Sequence, residues 1–158
     1  MMRKINIGII GFGTIGSGVL KILQDNSDVI RKRLGTIVEV VKIADLDITS
    51  DRGVRVDPQL LTTQAQDVIK NPEVDVVVEL IGGYEPARSL MLQAVNEGKH
   101  VVTANKALLA KHGSEIFSAV ENQQLSIGFE AAVGGAIPVI RAIRESFVAN
   151  KIYSIEGI

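Results

Sequence analysis

Cysteine is absent from this chain, and its absence excludes several classes of chemistry at once. Without a thiol, the chain cannot form a disulfide framework, a thiolate metal site or a cysteine nucleophile. Enzymes that oxidise aldehydes through a thioester are therefore disfavoured, because they need such a nucleophile. The lack of cysteine also fits a reducing compartment, and we expect the protein to be cytoplasmic.

Aromatic residues, long apolar runs and an excess of one charge are missing as well. Only 4% of the 158 residues are aromatic although 46% are hydrophobic, which favours one domain built on a buried parallel sheet. No apolar run approaches the ~20 residues that cross a membrane, and the N-terminus shows no signal-peptide pattern. The net charge of −1, with both signs interspersed, gives no support for a nucleic-acid or membrane partner.

Strand-like and helical segments alternate along the chain. Apolar runs bounded by turn residues predict strands over residues 5–10, 37–44, 74–81, 100–104, 125–129 and 152–158. Helical periodicity predicts helices over residues 15–34, 59–70, 86–98, 107–122 and 138–147, with Gly113 a candidate break in the fourth. Alternation of this kind implies parallel βαβ units, whose ligands bind outside the carboxyl ends of the strands.

A glycine-rich segment, Gly11-Phe12-Gly13-Thr14-Ile15-Gly16, connects the first predicted strand to the first predicted helix. In such a loop Gly11 permits a tight turn, Gly13 lets the backbone approach a pyrophosphate, and Gly16 allows close helix packing. N–H groups at the start of the helix would then face the phosphates. A glycine turn without a ligand is the alternative. The combined pattern predicts an α/β fold of the Rossmann type, doubly wound, with a mainly parallel sheet and helices on both faces.

An acidic residue, Asp45, ends the second predicted strand and lies 29 residues after Gly16. In NAD-binding folds a carboxylate lies about 20 residues beyond the loop, and the long first helix accounts for the larger spacing. A carboxylate here would accept hydrogen bonds from ribose hydroxyls and repel a 2′-phosphate, which favours NAD. Arg52 and Arg55 could still hold a 2′-phosphate, so NADP stays open, and Asp45 and Asp47 could also be merely turn residues.

Two further charged residues follow strand ends. Lys106 comes just after the strand 100–104, where a lysine can orient a substrate or contact the nicotinamide ribose, although a solvated surface lysine is commoner. Glu130 precedes a glycine-rich turn, and its carboxylate could bind a hard cation together with backbone carbonyls of that turn. From the residues alone, an interaction of Glu130 with the helix that starts near Pro138 is favoured.

Four segments together resemble homoserine dehydrogenase, in that family's order and over essentially the whole chain. They are the glycine loop and the runs at 77–83, 101–110 and 129–138. The resemblance implies reversible, NAD(P)-dependent interconversion of L-homoserine and L-aspartate 4-semialdehyde, in the biosynthesis of threonine, methionine and isoleucine. It also implies that Gly82, Thr103 and Lys106 lie on the nicotinamide side, with Lys106 at the junction of cofactor and substrate.

The resemblance implies a metal site as well. Glu130 and the backbone carbonyls of Val133, Gly135 and Ile137 would bind a sodium-type monovalent cation. The chain departs from some NADP-preferring members, which carry an arginine near the end of the second strand where this chain has Ala44-Asp45. That departure strengthens the expectation of NAD, or of dual use.

Family members are longer than this chain, so we expect an N-terminal fragment that is inactive alone. Residues 1–130 are expected to form the dinucleotide-binding domain, and residues 131–158 the cation-site turn, a helix and a first strand leading into a catalytic and dimerisation domain. In the family that domain supplies acidic substrate-binding residues and a proton-donating lysine, which we therefore expect beyond Ile158. The enzyme is expected to be a homodimer or larger. Another sugar or amino-acid dehydrogenase and a non-catalytic nucleotide-sensing module are the alternatives.

Overall fold

The computed structural model describes residues 3–156, and these form a six-stranded sheet. Its strands are β1 Arg3–Ile10, β2 Thr36–Ala44, β3 Leu61–Thr62, β4 Val76–Glu79, β5 His100–Thr103 and β6 Ile127–Gly128. Their order across the sheet is β3-β2-β1-β4-β5-β6, and neighbouring strands pair in parallel throughout. This is the strand order of doubly wound dinucleotide-binding folds, so the predicted fold class is confirmed.

Helices connect the strands. They are α1 Thr14–Asp25, α2 Ser27–Leu34, α3 Gln66–Ile69, α4 Ala87–Asn96, α5 Lys106–Asn122, α6 Glu130–Val133 and α7 Val139–Arg141. A single 3₁₀ turn covers Pro58–Leu60, and a π-helical turn, Ala142–Ser146, continues α7. Within residues 3–156, no helix combines the length and the apolar character that a bilayer crossing requires.

Both faces of the sheet are covered by helices. Successive strand residues point to opposite sides, so the apolar strands present an apolar surface on each face. Ile10 and Val77 belong to an apolar cluster that includes side chains of α3, α4 and α5. Their neighbours Ile9 and Val78 belong to a second cluster, which includes Leu20 of α1. A parallel sheet needs such cover on both faces, as the sequence predicts.

The helix predicted over residues 15–34 is two helices in the structure. Asn26 separates α1 from α2, with φ −112° and ψ 17°. Its side-chain Nδ2 donates a hydrogen bond at 3.1 Å to the Ile22 carbonyl, which also accepts from the Asn26 backbone N–H at the end of α1. The predicted end is confirmed, because Gly35 has φ +64° and its N–H donates to the Arg31 carbonyl.

The helix predicted over residues 59–70 is wrong in its first half. Leu61–Thr62 instead forms β3 at the edge of the sheet, where it pairs with Ile43–Ala44. Only Gln66–Ile69 is α-helical. A short apolar run does not distinguish strand from helix by periodicity, and here the unpaired edge of β2 decides in favour of the strand.

The prediction for the C-terminal segment needs correction. Residues 151–156 have no regular secondary structure, so the strand predicted over 152–158 is wrong for its described part. The last two residues of that strand, Gly157 and Ile158, lie outside the described residues. Within residues 151–156 the side chains are exposed, and a strand needs a neighbouring strand to supply its hydrogen bonds. The sheet ends at β6, which pairs with β5.

The structure contains helices in both of the last two regions predicted to be helical, residues 107–122 and 138–147. The helix after Pro138 is present but is short and passes into the π-helical turn. The break considered at Gly113 does not occur. Gly113 is buried inside the continuous α5, and a Cβ there would lie 3.3 Å from the Phe117 ring, which explains a small residue at this position.

Candidate dinucleotide site

The turn between β1 and α1 has the geometry that its three glycines predict. Gly11 has φ +99°, and a Cβ there would lie 2.7 Å from the carbonyl carbon of Leu80. A Cβ at Gly16 would lie 2.1 Å from the Gly11 carbonyl oxygen, so only glycine lets α1 come this close. A Cβ at Gly13 would meet no protein atom within 4 Å. Packing therefore explains Gly11 and Gly16, whereas Gly13 leaves the backbone open to an approaching ligand.

The first turn of α1 begins directly after Gly13. No side chain among residues 3–156 caps this turn, so it keeps free N–H groups and the positive end of the helix dipole. Phe12 is buried in the core, whereas Thr14 and Ile15 are exposed. The backbone of this turn is therefore the part that can bind a phosphate, as in dinucleotide-binding folds.

Asp45 contacts the same turn from the neighbouring strand. Its Oδ2 accepts a hydrogen bond from the Phe12 N–H at 2.5 Å, and its Oδ1 accepts one from the Asp47 N–H at 2.8 Å. Sequence reasoning placed Asp45 beside a ribose and did not foresee that it would also hold the turn. Each carboxylate oxygen can accept a further hydrogen bond, so the two roles are compatible.

Arg52 lies beside this carboxylate but is paired mainly with Asp47. Its Nη2 is 3.0 Å from Asp47 Oδ2 and 3.9 Å from Asp45 Oδ1. Hydrogen bonds from Ser50 and Thr49 hold the pKa of Asp47 far below its usual range, which keeps this partner of Arg52 charged. Arg52 thus lies close to the end of β2, where a residue that binds a 2′-phosphate would lie, but it already forms an ion pair with Asp47.

A buried carboxylate, Glu79, ends β4 and connects two strand ends. It is 1% exposed; its Oε1 accepts hydrogen bonds from the N–H groups of Ile81 at 2.9 Å and Gly82 at 3.3 Å. Its Oε2 accepts from Thr103 Oγ1, at the end of β5, at 2.7 Å. Gly82 has φ +73°, and these bonds hold it in that conformation.

Asn105 extends the same network to the start of α5. Its N–H donates to Thr103 Oγ1 at 3.0 Å, and its Oδ1 caps the helix by accepting from the Leu108 N–H at 3.1 Å. Its Nδ2 donates to the Gly83 carbonyl at 2.7 Å. Lys106 follows Asn105 as the first residue of α5, so this network sets the position of its backbone. Its side chain is exposed.

A cavity of about 1160 Å³ lies on the α1 side of the sheet, next to these strand ends. The residues that line it include Ile15 of α1, Leu80 after β4, Thr103 at the end of β5, Ala104 after it, and Glu130. The structure therefore brings the first turn of α1, Thr103 and Glu130 to one cavity. Asp45 is not among the residues that line this cavity; it lies at the end of β2, two strands from β4.

Glu130 interacts with the start of a helix in the structure. Its Oε1 accepts a hydrogen bond from the Ile140 N–H at 2.9 Å, and its Oε2 accepts from the Arg141 N–H at 3.2 Å. This is the arrangement that the residues alone favoured. Within the described residues, no group of three or more acidic or histidine side chains could hold a metal. A cation at this turn would therefore depend mainly on backbone carbonyls.

Comparison with known proteins decides the family. The family profile described as "Homoserine dehydrogenase, NAD binding domain" matches residues 11–130. The chain belongs to this family. The homoserine dehydrogenase of Pseudomonas aeruginosa is 47% identical over 157 residues, and that of Bacillus subtilis is 41% identical over 157 residues.

Solved structures agree with this assignment to the homoserine dehydrogenase family. The crystal structure of a homoserine dehydrogenase from Thiobacillus denitrificans has a TM-score of 0.87 and 47% identity, covering 94% of this chain and 34% of that one. The two bacterial sequences are matched over 99% of this chain and 36% of their own length. The chain thus spans about a third of the length of these homoserine dehydrogenases.

One residue of this homoserine dehydrogenase domain escaped sequence reasoning. Glu79 was included in an apolar strand, and no role was predicted for it. The available signal was a single carboxylate at the end of the run Val76-Val77-Val78, which is otherwise wholly apolar. A buried acidic residue needs hydrogen-bond donors, and at a strand end the following loop can supply them.

Proposed function

We propose that this chain binds a nicotinamide dinucleotide across the carboxyl ends of its strands. The observation that supports this most strongly is the open backbone at Gly13 beside the uncapped start of α1, where a pyrophosphate would bind. The adenosine would extend toward Asp45, and the nicotinamide toward Gly82, Thr103 and Lys106. Asp45, Gly82 and Lys106 follow β2, β4 and β5, and Thr103 ends β5, so a single extended ligand along this edge of the sheet can reach them all.

In a protein of the relatives' full length, we propose reversible hydride transfer between L-homoserine and L-aspartate 4-semialdehyde. The bound cofactor supplies or accepts the hydride at its nicotinamide ring. This chain holds the cofactor: the N–H groups of α1 bind phosphate charge, and Glu79, Thr103 and Asn105 fix the strand ends on the nicotinamide side. Lys106, exposed at the start of α5, offers its ammonium group to a polar substrate.

The proton for this reaction is proposed to come from outside the chain. We propose that a lysine donates it, in the part of the longer relatives that this chain does not span. That lysine is not a residue of this chain and stays a prediction. We therefore propose that the 158-residue chain binds the cofactor but does not turn over substrate by itself.

We propose NAD rather than NADP as the preferred cofactor. Asp45 has one lone pair left on each carboxylate oxygen for a ribose hydroxyl, and its charge opposes a 2′-phosphate. Arg52, which lies beside this carboxylate, is paired with Asp47. Calorimetric titration of the chain with each cofactor should give the lower Kd for NAD. Equal or tighter binding of NADP would contradict the preference.

We also propose a monovalent cation, such as sodium, at the turn after α6. The carboxylate of Glu130 keeps a lone pair on each oxygen, and the carbonyls of Val133, Gly135 and Ile137 lie along a turning backbone in which Ala136 has φ +62°. Sodium chloride should raise the unfolding temperature more than tetramethylammonium chloride at equal ionic strength. Glu130→Gln, which removes the charge but keeps an amide oxygen, should reduce the difference, and equal effects of the two salts on the wild-type chain would contradict the site.

A matched pair of glycine substitutions tests the cofactor site itself. A methyl group at Gly13 or at Gly18 would meet no protein atom within 4 Å, so neither Gly13→Ala nor Gly18→Ala should disturb packing. Only Gly13→Ala would place the methyl against the pyrophosphate. We expect Gly13→Ala to weaken NAD binding at least about tenfold, or ~1.4 kcal/mol, with Gly18→Ala unchanged. Equal affinities of the two variants, or no binding by the wild-type chain, would contradict the proposed function.

The activity requires an assay on a protein of the relatives' full length. We expect oxidation of L-homoserine with NAD or NADP, and we propose that this longer protein is a homodimer or larger. Turnover of a different alcohol without turnover of homoserine would overturn the substrate assignment. Sedimentation of the same preparation tests the assembly, and a monomer would contradict that part.

A further inference from the structure

Glu79 is a buried carboxylate whose hydrogen-bond donors within residues 3–156 are all neutral groups. At 1% exposure it accepts three hydrogen bonds, from two backbone N–H groups of the loop after β4 and from the Thr103 hydroxyl. Burying a carboxylate is costly unless donors satisfy it, and an apolar side chain would fill the core at lower cost. The geometry of its three partners therefore explains the residue better than core packing does.

The loop that Glu79 holds also touches the phosphate-binding turn. A Cβ on Gly11 would lie 2.9 Å from the Ile81 nitrogen, so the backbones at Gly11 and Ile81 are in close contact. The N–H of Ile81 is the group that donates a hydrogen bond to Glu79 Oε1. On its other side Glu79 reaches Thr103, whose hydroxyl accepts from the N–H of Asn105. One carboxylate thus connects the phosphate-binding turn to the start of the helix that bears Lys106.

The phosphate-binding turn has anchors of its own that do not involve Glu79. The Gly11 N–H donates to the Ala44 carbonyl at 2.8 Å, and the Phe12 N–H donates to Asp45. Loss of Glu79 should therefore leave the turn and the adenosine side in place. Loss of Glu79 should instead free the loop at Ile81–Gly82 and break the connection between this loop and β5.

We propose that Glu79 is a positioning residue that sets the nicotinamide side of the site relative to the phosphate-binding turn. The proposal rests on the cofactor binding proposed above and adds to it a residue that acts through Gly82 and Thr103. Its consequence is selective: Glu79 matters for the part of the ligand beyond the pyrophosphate. NAD, which has that part, should therefore respond to substitution, and ADP, which lacks it, should not.

The test measures the Kd of NAD and of ADP for the 158-residue chain and its variants by calorimetry. Glu79→Leu removes all three acceptor contacts, and we expect NAD to bind about tenfold more weakly, a loss typical of hydrogen bonds to a charged group, with ADP changed less than about twofold. Glu79→Gln can keep the contact with the loop through its amide oxygen, and its NH2 group can donate to the Thr103 hydroxyl instead of accepting from it. Thr103→Val removes that hydroxyl and so breaks the link, and it should weaken NAD binding less than Glu79→Leu but more than Glu79→Gln.

Lys99→Met is the matched control, because it removes another buried polar side chain at the opposite end of β5. Lys99 Nζ donates to the carbonyls of Asn71 and Val74, and its loss should lower the unfolding temperature without changing the ratio of the two Kd values. If Glu79→Leu does not fold, Glu79→Gln and Thr103→Val decide. Equal losses for NAD and ADP, or no loss for either, would overturn the positioning role. Failure of the wild-type chain to bind NAD would instead overturn the proposed function.

Discussion

The Phe12 N–H donates a hydrogen bond to Asp45 Oδ2, although 33 positions separate the two residues. They meet because β1 and β2 are neighbours in the sheet and end at the same edge. The second carboxylate oxygen of Asp45 accepts from the Asp47 N–H. One side chain thus holds both the turn between β1 and α1 and the loop after β2, and its removal should affect stability and the proposed cofactor binding together.

Asp45→Ala should destabilise the chain by about 1–3 kcal/mol, because it leaves two N–H groups without their acceptor in a part-buried site. It should also weaken NAD binding and bring the Kd values of NAD and NADP closer together, because the charge that opposes a 2′-phosphate is gone. Urea unfolding and calorimetric titration measure the two effects. Asp51→Ala is the control: Asp51 accepts a comparable hydrogen bond from the Gly53 N–H on the exposed loop surface. A preference for NAD as strong as in the wild-type chain would contradict this role for Asp45.

Gly16→Ala should destabilise the chain by about 2–3 kcal/mol, because its methyl group would overlap the Gly11 carbonyl oxygen and push α1 away from the turn. Gly18→Ala, in the same helix, should instead raise stability by up to about 1 kcal/mol, since alanine is the better helix former and the site is open. Thermal unfolding of both variants measures the contrast. Equal unfolding temperatures would show that α1 can retreat from β1 without cost.

An exposed ion pair predicts a dependence of stability on pH. Arg88 bonds to both carboxylate oxygens of Glu115, and this interaction lowers the pKa of Glu115 below its usual 4.5. A carboxylate whose pKa is lowered by folding stabilises the fold above its unfolded pKa and loses that contribution as pH falls through the folded value. Arg88→Met should therefore lower the unfolding temperature at about pH 7, and the gap to the wild-type chain should close toward about pH 3. A gap that is the same at both pH values would refute this origin.

Asn105 offers a separation of its two side-chain roles. Asn105→Asp keeps an acceptor for the Leu108 N–H but loses the donor to the Gly83 carbonyl, whereas Asn105→Ala loses both. The alanine variant should cost at least about 1 kcal/mol through the helix cap alone, and the aspartate variant should be the more stable of the two. Chemical unfolding at neutral pH measures both. The reverse order would show that the bond to Gly83 matters more than the cap.

The amino-acid sequence by itself determined the alternation of strands and helices, the glycine turn and the parallel fold. These features depend on local patterns: apolar runs, helical periodicity and the spacing of Gly11, Gly13 and Gly16. It also placed Asp45, Thr103 and Lys106 at or just after the carboxyl ends of predicted strands, and a parallel sheet brings those ends to one edge. Because these patterns are local, the resemblance to the homoserine dehydrogenase family could be recognised from the residues alone.

Tertiary structure decided the rest, because the deciding partners are distant in the chain. Leu61–Thr62 became a strand because β2 offered a free edge, and Asp45 turned inward because the Phe12 N–H lay beside it. Glu79 could not be assigned before its donors, which come from the following loop and from β5, were known. A hydrogen bond needs both partners in place, and only folding brings residues 79 and 103 to within 2.7 Å of each other.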